Sequence, residues 1–110
     1  MSNEKLSNEV VNPPLSKGAV SRSAFRLMQI PLLPFCGIKT AHSTKDFDSF
    51  HIKNSNTNCQ LNVFWRSDGQ VTASFYDAKI EKLRDRNKEV YRSNVFTQNI
   101  LESLCCQFLS

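Results

Sequence analysis

The sequence predicts an α+β domain in which a small antiparallel sheet is packed by an N-terminal and a C-terminal helix. Two patterns lead to this class. Polar and apolar residues alternate through residues 59–65 and 71–76, and apolar residues recur every four positions through residues 95–109. Alternation with period two is typical of a half-buried strand, whereas a repeat near 3.6 residues indicates an amphipathic helix. Because the strand-like and helix-like segments are segregated along the chain, the α+β class is favoured over βαβ units.

Residues 59–77 are predicted to form a hairpin that turns at residues 67–69. A two-residue turn would place Trp65 opposite Thr72 and would divide the apolar residues between the two faces. A three-residue loop, in which a type I turn is followed by Gly69 in the left-handed region, instead aligns Trp65 with Val71. One face then carries the apolar side chains of Leu61, Val63, Trp65, Val71, Ala73 and Phe75. An isolated hairpin is marginally stable, so other elements must cover this face.

Further strands are predicted before the hairpin. Phe47, Phe50 and Ile52 indicate a short strand that ends near Lys53, so that residues 47–77 form a three-stranded meander, and residues 41–48 are interpreted mainly as a loop. The apolar segment 31–40 contains two prolines and a glycine, which favour an additional edge strand or a buried extended segment over a helix.

Three segments are predicted to be helical. Residues 16–30 form the first, with an apolar stripe and a proline that ends it at position 31; the stripe consists of Val20, Ala24, Leu27 and Met28. Asp77 is a suitable N-cap for a second helix, over residues 78–92, which carries a thin apolar stripe and many charges. The strongest stripe belongs to residues 95–109, which we expect to pack on the apolar face of the hairpin.

The length of 110 residues predicts one domain, which we assign to residues 16–110. Residues 1–15 are polar and lack periodicity, so we interpret them as a flexible tail. No segment has the features of a signal peptide, a lipid-anchor motif or a membrane span. We therefore expect a cytoplasmic protein with reduced cysteines and no membrane partner.

The sequence contains no recognisable catalytic or cofactor motif. Cys36, His42, His51 and Cys59 are spaced C-x5-H-x8-H-x7-C, which lacks the close ligand pairs of compact zinc sites. The chain has three glycines and no glycine-rich phosphate loop. We therefore predict a protein that is not an enzyme, has no catalytic residues, and uses no metal or other cofactor.

The favoured function is that of a small protein-binding accessory, adaptor, inhibitor or regulatory protein. The predicted edge strand near residues 33–38 could pair with a strand of a partner, and its candidate contact residues are Leu33, Phe35 and Ile38. The large apolar content of residues 95–109 also makes a homodimer conceivable.

The alternative is a nucleic-acid-binding protein. The net charge of +4 and the pI near 9.0 favour an acidic partner without specifying nucleic acid. Two surfaces could contact phosphates and bases: the predicted basic helix and the outer face of the hairpin. The candidate residues are Lys79, Lys82, Arg84, Arg86, Lys88 and Arg92 on the helix and Phe64, Arg66 and Tyr76 on the hairpin.

Overall fold

The structure, a computed structural model, describes residues 18–29 and 36–110, and of residues 36–38 it describes the backbone alone. Within these ranges an antiparallel sheet of five strands is flanked by two α-helices, which confirms the α+β class. Each strand pairs with the next along the chain, in the order β1-β2-β3-β4-β5. The elements are α1 Arg22–Arg26, β1 Cys36–Ser43, β2 Phe47–Asn54, β3 Cys59–Arg66, β4 Val71–Asp77, β5 Asn87–Ser93 and α2 Gln98–Leu109.

The hairpin β3–β4 has the predicted register. Trp65 pairs with Val71, and the apolar residues that follow it are also aligned across the two strands. Gly69 adopts φ +86°, and its N–H donates to the Arg66 carbonyl oxygen at 2.8 Å. Glycine adopts this left-handed conformation without the steric penalty that a Cβ atom would bring, which fixes the three-residue loop and the faces of both strands.

The sheet has more strands than the predicted meander. The predicted strand near residues 47–53 is confirmed as β2. Of the predicted edge or extended segment 31–40, residues 36–40 belong to the edge strand β1, and residues 31–35 lie outside the described residues. β1 continues to Ser43, so the prediction that residues 41–43 belong to a loop is wrong. These residues pair with the first half of β2, which satisfies backbone groups that a loop would leave to water. The predicted tail, residues 1–15, lies outside the described residues.

The predicted helix over residues 78–92 is wrong. The segment forms a loop containing one 3-10 turn, Leu83–Asp85, followed by strand β5. Asp77 accepts the Lys79 N–H at 2.9 Å, which closes a local turn instead of capping a helix. The thin apolar stripe could bury little surface as a helix, whereas pairing with β4 satisfies the backbone groups at that strand's second edge.

The predicted N-terminal helix is much shorter than expected. α1 begins after Ser21, whose side chain accepts the Ala24 N–H, and Gly18 has φ +82°, which is incompatible with a helix that starts at residue 16. Phe25 is the buried residue of α1 at 1% exposure, whereas Leu27, assigned to the apolar stripe, is 73% exposed. Val20 and Met28 of the predicted stripe are buried in the core, as expected, whereas α1 itself packs through Phe25, which the stripe did not include.

The core lies between the sheet and the two helices, on what we call the inner face. Thr97 caps α2 by accepting the Ile100 N–H, and the predicted C-terminal helix is confirmed from residue 98 onwards. The Phe108 and Phe75 rings lie 5.1 Å apart, and the Trp65 Nε1–H donates to the Val20 carbonyl oxygen at 2.9 Å. The inner face of the sheet contributes Phe50, Ile52, Cys59, Leu61, Val63, Trp65, Val71 and Ala73 to this core. Neither described helix is long and apolar enough to cross a membrane.

Candidate functional site

A buried carboxylate joins α1 to the first two strands. Asp48 is 2% exposed and lies on the inner face of β2. It accepts hydrogen bonds from Arg22 Nε at 2.8 Å, from Arg26 Nε at 2.9 Å and from the Ser43 hydroxyl at 2.5 Å. Burial alone would raise the pKa of Asp48, but the hydrogen bonds from Arg22, Ser43 and Arg26 outweigh it and lower the pKa to about 2. The carboxylate is therefore ionised and holds the helix in place.

Beside this cluster lies a cleft of about 200 Å³ between α1 and β1. Its apolar wall includes Phe25 and Phe50, whose ring centroids are 5.0 Å apart, and Ala41 is exposed within it. Lys39 also lines the cleft, with Nζ donating to the Met28 carbonyl oxygen at 2.7 Å and lying 4.7 Å from the Phe50 ring centroid. Burial lowers the pKa of Lys39. The cleft thus combines an apolar wall with a partly desolvated ammonium group.

The two edges of the sheet differ. β1 forms one edge, and residues 39–43 keep a regular register with β2. Residues 40–43 are exposed and include no Lys, Arg, Asp or Glu. The other edge, β5, carries Lys88, Glu89 and Arg92, and its pairing with β4 contains a bulge between Ala73 and Ser74. Charges and bulges protect an edge from further strand pairing, and β1 also has a register shift between Cys36 and Lys39 and carries Lys39. The stretch most open to pairing is therefore residues 40–43 of β1, which are regular and exposed.

The outer face of the sheet, opposite the helices, is aromatic and polar. Phe64 lies 6.2 Å from Phe47 and 6.2 Å from His51, measured between ring centroids. His51 Nδ1 is 2.6 Å from Asn62 Oδ1, which also accepts from the Gln60 amide. These contacts order the centre of the face. At one end of it a groove of about 530 Å³ is lined by Asp46, Phe47, Phe64, Arg66, Ser67 and Asp68.

The predicted nucleic-acid contacts fall into separate places. The residues on the outer face, by their register, are Phe64, Arg66, Tyr76 and Arg92. The loop before β5 carries Lys79, Lys82, Arg84 and Arg86. Lys88 pairs with Phe75 and so points to the inner side. Since the helix is absent, the six basic residues do not share one helical surface.

The predicted protein-binding residues are described in part. Leu33 and Phe35 lie outside the described residues. The backbone of Ile38 belongs to β1, which is the edge strand that the hypothesis requires.

Of the four residues considered as zinc ligands, the three with described side chains do not converge on one point, and the side chain of Cys36 lies outside the described part of the chain. Cys59 is buried on the inner face, whereas His42 and His51 stand together on the outer face with ring centroids 5.4 Å apart. Within residues 18–29 and 36–110, no group of three or more histidine, cysteine, aspartate or glutamate side chains could hold a metal ion.

The cluster around Asp48 and the cleft beside it were not predicted from the sequence. One signal was available: Asp48 occupies the same strand face as Phe50 and Ile52, and a carboxylate in a buried position requires a cationic partner. Arg22 and Arg26 are four residues apart, so a helix places both on the same side, where they bind the one carboxylate of Asp48.

Comparison with family models, with curated proteins and with solved structures finds no match to this chain. Its described part is therefore classed by architecture alone, as a small α+β sheet protein with helices on the inner face and an open edge at β1.

Proposed function

We propose that this chain is a non-enzymatic, cytoplasmic accessory or regulatory protein that binds another protein by accepting a strand along the edge of β1. The observation that carries the proposal is the character of that edge at residues 40–43, which is regular and exposed and includes no Lys, Arg, Asp or Glu. Backbone N–H and C=O groups on the outer side of an edge strand are a ready template for an added strand. Main-chain hydrogen bonds then supply affinity, and the neighbouring side chains select the partner.

The edge can be blocked with a single proline. In an antiparallel edge strand, successive residues direct their N–H groups alternately towards the neighbouring strand and away from the sheet. One of the substitutions Thr40→Pro and Ala41→Pro therefore removes an outward N–H, while the other removes a bond to β2. We expect the variant that removes the outward N–H, whichever of the two it is, to keep a melting temperature near that of the wild type. It should lose the partner, because a partner strand needs that donor.

Nuclease-treated affinity purification, with the melting temperature of each variant measured separately, provides the readout. Thr40→Val and Ala41→Val keep the N–H group and serve as matched controls that should retain the partner. If the proline variant that melts normally recovers the same partner in the same amount as the wild type, strand addition at β1 is wrong. A recovered partner that is a second copy of the chain would identify the homodimer as the form of this interaction.

We infer a second candidate function, the binding of single-stranded nucleic acid on the outer face. The specific observation is that Phe64, Tyr76 and Arg66 share this face and that the groove adjoins two of them. Proteins that bind single strands without sequence preference stack the bases on aromatic rings and contact the phosphates with cationic side chains.

Phe64→Leu tests the second function. The substitution keeps an apolar side chain among its neighbours but removes the stacking ring, so affinity for a labelled single-stranded oligonucleotide at low salt should fall roughly tenfold. Lys82→Gln, in the loop before β5, is the control and should mainly change the salt dependence. Absence of binding at about 50 mM salt, or equal losses for both variants, would rule out the outer face as the site.

A further inference from the structure

A strand added to β1 would bring one of its side chains to the cleft. Residues opposite each other in a sheet share a face, and their Cβ atoms lie about 4.5–5.5 Å apart. Ala41 lies on the inner face, because it pairs with Phe50, and it is exposed in the cleft. The partner residue opposite Ala41 would therefore point into the space between α1 and β1, with Lys39 and Ser43 as its neighbours along β1.

The charges around this space are unbalanced. Arg26 and Lys39 line the cleft beside one carboxylate, Asp48. Arg22 is not a lining residue and is attracted by both Asp48 and Asp46. Asp48 already accepts from both arginines and from Ser43. Within the described part of the chain, Lys39 has no carboxylate partner and donates instead to the Met28 carbonyl oxygen. An incoming group in this cleft therefore meets excess positive charge.

The walls of the cleft favour an occupant that has an apolar part as well as a charge. The Phe25 and Phe50 rings give the cleft an apolar side, and the exposed Ala41 leaves the position above β1 unfilled. A glutamate side chain has a short aliphatic stem for such a wall and a carboxylate for Lys39 and Arg26, and aspartate has the same charge with a shorter reach. A neutral apolar side chain would fill the space but would leave the ammonium group of Lys39 more deeply desolvated.

We propose that the cleft between α1 and β1 receives an acidic side chain, glutamate or aspartate, from the strand that pairs with the β1 edge. The proposal rests on the proposed protein-binding function and names the chemistry of its partner. The lowered pKa of Lys39, caused by burial, agrees with it, because an arriving carboxylate would favour the charged ammonium form. The main chain of the partner would supply affinity, and the acidic residue would supply register and specificity.

A displayed library of random nine-residue peptides, selected on the full chain, provides the test. Peptides that bind the wild type should share one Glu or Asp within an alternating, strand-like pattern. Replacing that acid by its amide should weaken binding about tenfold, as expected for the loss of a charge-assisted hydrogen bond. The same library selected on Lys39→Glu should lose this preference and enrich Lys or Arg at that place. Lys39→Met should remove the preference without creating a new one.

The outcomes separate the two proposals. One outcome is that the selected peptides lose binding to the proline variant that removes an outward N–H of β1 and yet share no acidic residue. That result would support strand addition and overturn the acidic cleft. Peptides whose binding does not depend on β1 would overturn strand addition itself. An unchanged acidic preference on Lys39→Glu would overturn the assignment of the cleft, provided that the melting temperature of the variant shows it to be folded.

Discussion

Asp48→Asn is expected to lower the free energy of unfolding by about 2 to 3 kcal/mol near neutral pH. The carboxylate is 2% exposed and accepts from Arg22, Arg26 and Ser43, so its ionised form is stabilised in the folded chain. An amide of the same shape carries no charge, and its NH2 group would face the guanidinium donors. Denaturant titration at pH 7 measures the loss.

The effect has a defined pH dependence. The pKa of Asp48 is lowered from 3.8 to about 2 by folding, so the stabilisation is complete above pH 3.8 and is lost as the pH falls through about 2. The difference in stability between the wild type and Asp48→Asn should therefore shrink between pH 4 and pH 2. Asp46→Asn, at an exposed carboxylate two residues earlier, is the matched control and should change stability by less than about 0.5 kcal/mol. Equal losses for the two variants would show that the buried cluster is not a stabilising feature.

Much of the β3–β4 and α2 architecture could be predicted because its signals are local. The alternation through residues 59–76 and the turn chemistry around Gly69 determine the hairpin register without reference to the rest of the chain. The stripe through residues 96–108 is wide enough to indicate a helix that must cover an apolar surface. In both cases the period of the pattern and the geometry of the element agree.

Residues 78–92 show where local signals fail. The residue at the predicted N-cap, Asp77, binds the Lys79 N–H in a turn, and residues 87–93 pair with β4. Strand pairing depends on an edge made available by residues far away in sequence, so helix propensity in a charged segment does not decide the outcome. Because this segment does not form a helix, the basic helical surface predicted for it does not exist.

The cleft could not be predicted for a related reason. Lys39 and Arg26 line the same cleft because α1 packs through Phe25, whereas the predicted stripe placed Ala24 and Leu27 towards the core. The position of Asp48 among apolar residues indicated a buried ion pair, but the choice between arginines of the N-terminal segment and other cations required the tertiary fold. An edge strand was one of the two interpretations of residues 31–40, but the two prolines at positions 31 and 34 precede β1 and do not by themselves account for its place at the edge.

Phe25→Ala is expected to have the largest effect among the residues of α1, with a loss of about 3 to 5 kcal/mol in the free energy of unfolding. The Phe25 ring is 1% exposed and lies 5.0 Å from the Phe50 centroid and 6.3 Å from that of Phe96, so its removal opens a cavity between α1 and the sheet. Because α1 has five residues, Phe25 is its one buried apolar side chain, and the remaining anchors are the polar contacts of Arg22 and Arg26.

Leu27→Ala is the matched control for Phe25→Ala, since it truncates an apolar side chain two residues away that is 73% exposed, and it should change stability by less than about 0.5 kcal/mol. The pair also distinguishes the observed packing from the predicted stripe, in which Leu27 was a core position. If α1 is the wall of a partner site, Phe25→Ala should weaken the acidic preference of peptides that pair with β1, whereas Leu27→Ala should not. Equal destabilisation by the two substitutions would contradict the packing of α1 through Phe25.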